Sequence, residues 1–173
     1  MEVFLEILKL TIPSLSVVFV VYIMLRQYFE SEHQRKMLEI RSNQQATTLP
    51  IKLGAYERLS MFCERISIPA IIMRVRTEGT NAKALRIAML IAIQQEYEHN
   101  ITQQVYISEN LWKIIQFARD DAQNTIDHVY QSVEPDADSR VFANALIHFL
   151  ENKDVLPVHK AQQAIKKEAS LLL

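Results

Sequence analysis

The sequence predicts an all-α protein: one N-terminal transmembrane helix continuing into a stalk, followed by a bundle of about five or six helices. Three observations predict this. Glycine occurs twice and proline five times in 173 residues, whereas tight β-turns usually call for glycine. Leu, Ile, Ala, Gln, Glu and Lys are abundant, a composition that favours long helices. Apolar residues make up 49% of the chain and recur every three or four positions, the period of a helix with one buried face.

The first element is the apolar run. No charged residue occurs from Leu10 to Leu25. Extending it back to Val3 brings in Glu6 and Lys9, and gives an expected span of residues 3–25 through a lipid bilayer. Val17-Val18-Phe19-Val20-Val21-Tyr22-Ile23 has no polar face, unlike a helix in water. The start Met1-Glu2 lacks the basic region of a cleaved signal peptide. Tyr22, Arg26 and Tyr28 are placed at the membrane interface. Arg26, Arg35, Lys36 and Arg41 follow the run, against Lys9 before it, so the positive-inside rule expects the N-terminus outside and the remainder in the cytoplasm. The expected organisation is an anchor over 1–26, a juxtamembrane helical stalk over 27–48 and a cytoplasmic helical domain over 49–173.

Tyr22, Leu25, Phe29, His33, Met37 and Ile40 carry helical spacing onward, to about residue 45. Pro50 suits the first turn of a new helix, in which Leu53, Tyr56, Leu59, Phe62, Cys63 and Ile66 form one apolar stripe. Ser67 and Pro69 interrupt it, and Ala70-Ile71-Ile72-Met73 begins a short helix. Thr77-Glu78-Gly79-Thr80 reads as a turn. Residues 81–99 are apolar over much of the helical circumference, which suits the centre of a bundle. Val105-Tyr106-Ile107 is expected to be extended. Ser108 caps a long helix to about residue 132, with Leu111, Trp112, Ile115, Ala118, Ala122, Ile126 and Val129 inward. Glu134-Pro135-Asp136-Ala137-Asp138 is read as an exposed acidic loop, and helices near 139–151 and 157–171 follow.

Net charge is −1, and basic residues are not interleaved with aromatics, so nucleic acid is not an expected partner. Residues 26–86 carry 11 Lys/Arg against 6 Asp/Glu, and residues 87–173 carry 7 against 12. A single cysteine, Cys63, excludes an intrachain disulfide, and its apolar neighbours suggest a buried thiol. The two glycines form no phosphate-binding loop, and the five histidines show no zinc-binding pair.

Glu96-x-x-His99 places carboxylate and imidazole on one helix face, as in di-metal carboxylate bundles. Those sites need a second such motif and two further inward glutamates. Glu30-x-x-His33 is the only other match, and it lies on the stalk. Glu96 and His99 are therefore the nearest approach to metal ligands, but no metal site, cofactor or small-molecule substrate is expected. Tyr56, Glu57, Arg58, Glu64 and Arg65 form a charged group that is either a structural network or a partner-facing patch.

Several segments carry a resemblance: Leu49-Pro50-Ile51-Lys52-Leu53, Ala55-Tyr56-Glu57-Arg58-Leu59, Glu64-Arg65-Ile66, Glu96-Tyr97-Glu98-His99-Asn100, and Gln104-Val105-Tyr106-Ile107-Ser108 before Trp112. With the apolar run, the chain resembles an uncharacterised family of small single-pass inner-membrane proteins of Bacteroidetes. The resemblance implies a bacterial inner-membrane location and brings no activity. The function expected is a non-enzymatic, membrane-tethered scaffold or adaptor that binds other proteins or itself. An accessory subunit of a larger inner-membrane complex is the alternative, and a di-metal helical-bundle enzyme a third reading.

Overall fold

The computed structural model describes residues 2–153 and 155–172, and the side chains of 2–18, 33, 34, 38 and 41–45 lie outside the described ones. Among the described residues the chain is helical and contains no strand. Helix α1 covers Glu2–Ile66, α2 Ile68–Val75, α3 Ala82–Asn100, α4 Glu109–Tyr130, α5 Ser139–Glu151 and α6 Pro157–Ala169; a 3₁₀ helix, Ile101–Tyr106, joins α3 to α4. The chain divides into two compact units, Met1–Thr48 and Leu49–Leu173.

The expected transmembrane helix is not supported. Among the described residues no helix is long and apolar enough to cross a membrane. This overturns the single-pass anchor and the inner-membrane placement with its orientation. The physical reason lies in the length of the apolar run. Sixteen uncharged residues, Leu10 to Leu25, reach about 24 Å, short of a hydrocarbon core of about 30 Å. Residues 3–18 of the expected span lie outside the described side chains. The described remainder, Phe19–Leu25, runs directly into Arg26, Glu30, Glu32, Arg35 and Lys36. Tyr22, Arg26 and Tyr28 thus lose their assignment to a membrane interface. Arg26 pairs with Glu30 one turn on, at 3.2 Å, and Tyr28 packs edge-to-face on Phe29.

Pro50 does not open a new helix, since α1 runs through to Ile66. It stops where predicted. Pro69 lacks the N–H that would continue the ladder, and its ring would meet the carbonyl four residues back. The Ser67 hydroxyl and N–H both donate to the Glu64 carbonyl, at 2.8 and 3.3 Å, closing the last turn.

In the unit from Leu49 onward, one apolar core joins all the helices. Tyr56, Leu59, Phe62, Cys63 and Ile66 of α1 are buried together with Leu85, Met89 and Ile93 of α3 and the whole predicted inward face of α4. Phe142 and Leu146 of α5, and Ala161 and Ile165 of α6, complete it. α3 packs on α2, α4 and α5, and α4 packs on α5 and α6. α3 is nevertheless not sealed all round: Ile87 and Ile91 face outward.

The connections differ from expectation in two places. Residues 101–106 form a 3₁₀ turn, and only Ile107 is extended. The acidic stretch 134–138 is exposed as expected, apart from half-buried Ala137, but its backbone is docked. Ala82 N–H donates to the Ala137 carbonyl at 2.8 Å, and Lys83 N–H to the Pro135 carbonyl at 3.1 Å. These carbonyls satisfy amides that a helix start leaves unpaired. Asn81 caps α3 through its side chain and Asp138 caps α5. Gly79 supplies the left-handed backbone, φ 76°, that turns the chain into α3.

Candidate functional site

The densest polar cluster ties three helices. Glu168, in the last turn of α6, accepts the N–H of Ser108 at 2.8 Å and the Ser108 hydroxyl in a short hydrogen bond. The Tyr56 hydroxyl of α1 donates to the same carboxylate at 3.0 Å. Ser108 Oγ in turn accepts from Leu111 N–H at 3.2 Å, as the cap of α4. Partial burial works against the charged form of Glu168. It is outweighed by the two Ser108 donors, the Tyr56 hydroxyl and the charge of Lys52, which hold the carboxyl below its ordinary range. Burial, the hydrogen bond to Glu168 and that carboxylate's charge push the Tyr56 hydroxyl up to about 12. A tyrosine held neutral, chiefly by burial, and a carboxylate held ionised, chiefly by Ser108, form a structural tie.

A second cluster lies between α1, α2 and α3. Glu96, whose side chain is 13% exposed, receives Arg65 at 3.2 Å and Arg74 at 3.1 Å. Arg58 donates to the backbone carbonyl of His99 at 3.4 Å. The imidazole of His99 is exposed and does not join Glu96 in a ligand set. Among the described residues no group of three or more His, Cys, Asp or Glu side chains is arranged to hold a metal ion. Glu64 accepts from Gln162 of α6 at 2.6 Å, and Glu57 is exposed. The structure thus brings Arg65 to Glu96 and Tyr56 to Glu168, and keeps Glu57 and Arg58 at the surface. Sequence reasoning missed Glu168 and Arg74. Neither lies in a motif, and Glu168 sits 112 residues from Tyr56.

Three aspartates of α4 are likewise paired with cations. Asp121 pairs with Lys153 at 3.1 Å, Asp127 with Arg86 at 2.7 Å, and Asp120 with Arg119 at 2.6 Å. Arg119 and Arg86 also lie over the rings of Tyr97 and Tyr130, at 4.1 and 4.9 Å from their centroids, and Tyr97 stacks on Trp112. Cys63 has no exposed surface, and burial, with the nearby charge of Glu64, pushes its thiol up to about 12. It is expected to resist an alkylating reagent in the folded protein and to react fully once urea unfolds it. Mass spectrometry of the labelled chain checks this.

A family model described as a family of unknown function, DUF7935, matches residues 2–172. The chain belongs to this family. No curated protein and no solved structure matches it. DUF7935 membership agrees with the uncharacterised family that the quoted segments resemble, and its description carries neither a source nor a membrane topology.

Proposed function

We propose that this DUF7935 protein is a non-enzymatic scaffold or adaptor whose helical domain holds other proteins. The observation that supports this reading is how the ionisable side chains are used. Among the described residues, Tyr56, Cys63 and Glu168 are the groups with displaced pKa values. An active site is expected to present such groups in a cleft, free to meet a substrate. Here Tyr56 and Glu168 satisfy each other, and Cys63 is sealed in the core. Large apolar side chains remain outside the core on several elements, among them Met73, Val105 and Phe117, and such side chains serve contact rather than chemistry. Origin in Bacteroidetes belongs to this proposal and rests on the quoted segments.

The test is isolation of the full chain, tagged and at native level, from a Bacteroidetes host, followed by native mass measurement. A different protein present in fixed stoichiometry is the expected result. Recovery of the chain with no other protein bound overturns the reading.

A further inference from the structure

One cleft carries more than contact area. It lies between the Pro50–Met61 part of α1 and the 3₁₀ turn, and encloses about 700 Å³. Ile51, Gly54, Arg58 and Met61 are spaced three, four and three apart, so they share one face of α1 and form one wall. Ile51 and Met61 are about half exposed. Val105, on the opposite wall, is 78% exposed, which makes it a projecting apolar knob. Gly54 is the reverse: apart from its chain neighbours and its own helix backbone, no atom lies within 4 Å of the place its Cβ would take. Glu57 and Arg58 stand side by side on the rim. Among the described residues neither has a charged partner, and Arg58 makes only its long hydrogen bond to the His99 carbonyl.

We infer that this cleft is covered by a second copy of the chain, packed about a two-fold axis. A two-fold interface presses one patch against itself, so every projection needs its own recess within the same patch. This patch holds both, with Val105 as the projection and the open space over Gly54 as the recess. It also holds one charge of each sign, so Glu57 of one copy meets Arg58 of the other, and the reverse. A uniformly acidic or basic partner would set a like charge against one of the two. Such juxtaposition is unfavourable, and self-pairing removes it. The inference goes beyond the adaptor reading and is tested on the protein alone.

Sedimentation equilibrium of the full chain over a wide concentration series reads it out. The mass is expected to rise from one chain to two. Gly54→Leu fills the recess with a better helix former, and Val105→Asp puts a charge on the knob. Each is expected to weaken the dimer at least ~tenfold, a difference of about 1.4 kcal/mol, with unchanged helical circular dichroism. Glu57→Arg alone sets like charges across the axis and weakens the dimer, and Glu57→Arg combined with Arg58→Glu restores it. A one-chain mass at every concentration overturns the inference. So does a dimer indifferent to all four variants, which would place the contact elsewhere.

Discussion

Phe62→Ala is expected to lower the stability of the helical domain by about 3–5 kcal/mol, the range for removing a fully buried phenylalanine. Phe62 is 1% exposed and lies where α1 meets α3, with its ring 6.4 Å from that of Tyr97. Two terms add. The lost side chain no longer leaves water on folding, and the surrounding core closes only in part on the space it vacates. The aromatic pair with Tyr97 contributes roughly 0.5–1.5 kcal/mol of its own. Domains of this size are stable by about 5–15 kcal/mol, so the loss is a large share of the total. Urea unfolding followed by circular dichroism measures it. The midpoint should fall while the slope stays constant. Met73→Ala, at a residue 88% exposed, should move the midpoint by less than about 0.5 kcal/mol. Equal effects from the two would show that α1 does not seat Phe62 in the core.

The second large effect is expected from Glu168→Ala. The carboxylate accepts three hydrogen bonds from two other helices. Hydrogen bonds to a charged group are worth about 1.5–3 kcal/mol, and because Glu168 is only half-buried we expect about 2 kcal/mol in total. The pH dependence gives a sharper signature. The carboxyl is held below its ordinary value, so the folded state favours the ionised form. That contribution is present above the unfolded pKa of about 4.3 and is lost as pH falls through the depressed folded value. Tyr56 works at the other end of the scale. Its folded value is raised to about 12 from an ordinary 10, so its contribution is present below pH 10 and is lost as pH rises towards 12. Glu168→Ala should flatten the acid side of the stability profile and also part of the alkaline side, since the carboxylate is one cause of the Tyr56 shift. Tyr56→Phe should flatten the alkaline side. A wild-type profile without an acid limb attributable to Glu168 would remove this carboxylate from the list of supports.

The helical class and most of the core are visible in the residues because both depend on short-range periodicity. The α4 stripe from Leu111 to Val129 and the α1 stripe from Tyr56 to Ile66 are buried as their spacing predicts. Ser108 as a cap and Pro157 at the start of α6 are likewise local signals. The apolar run near the N-terminus suggests a span because it is uncharged, but its sixteen residues, Leu10 to Leu25, fall short of the length that crosses a bilayer. Val105 and Tyr106 mislead too: their β-branched and aromatic character suggests extension, but a six-residue link between two packed helices tightens into a 3₁₀ turn. The ties at Glu168 and Glu96 were illegible for a different reason. Each joins residues brought together only by packing, Glu168 to Ser108 across 60 positions and Arg74 to Glu96 across 22. Nothing in a local pattern distinguishes those glutamates from solvated ones.

The docked connector between α4 and α5 has a consequence for any engineering of this protein. The carbonyls of Pro135 and Ala137 complete the first turn of α3, a helix that precedes them by some fifty positions. The acidic stretch, which looks like the natural place to cut the chain, insert a reporter or build a circular permutant, is in effect the end-piece of another helix. Lengthening it would fray α3 from its start, where Ala82 and Leu85 enter the core. The Thr77–Thr80 turn is tied in the same way: the Thr80 hydroxyl donates to the Thr77 carbonyl at 2.7 Å, and the Thr80 carbonyl accepts the N–H of Ser139 at the start of α5, at 2.9 Å.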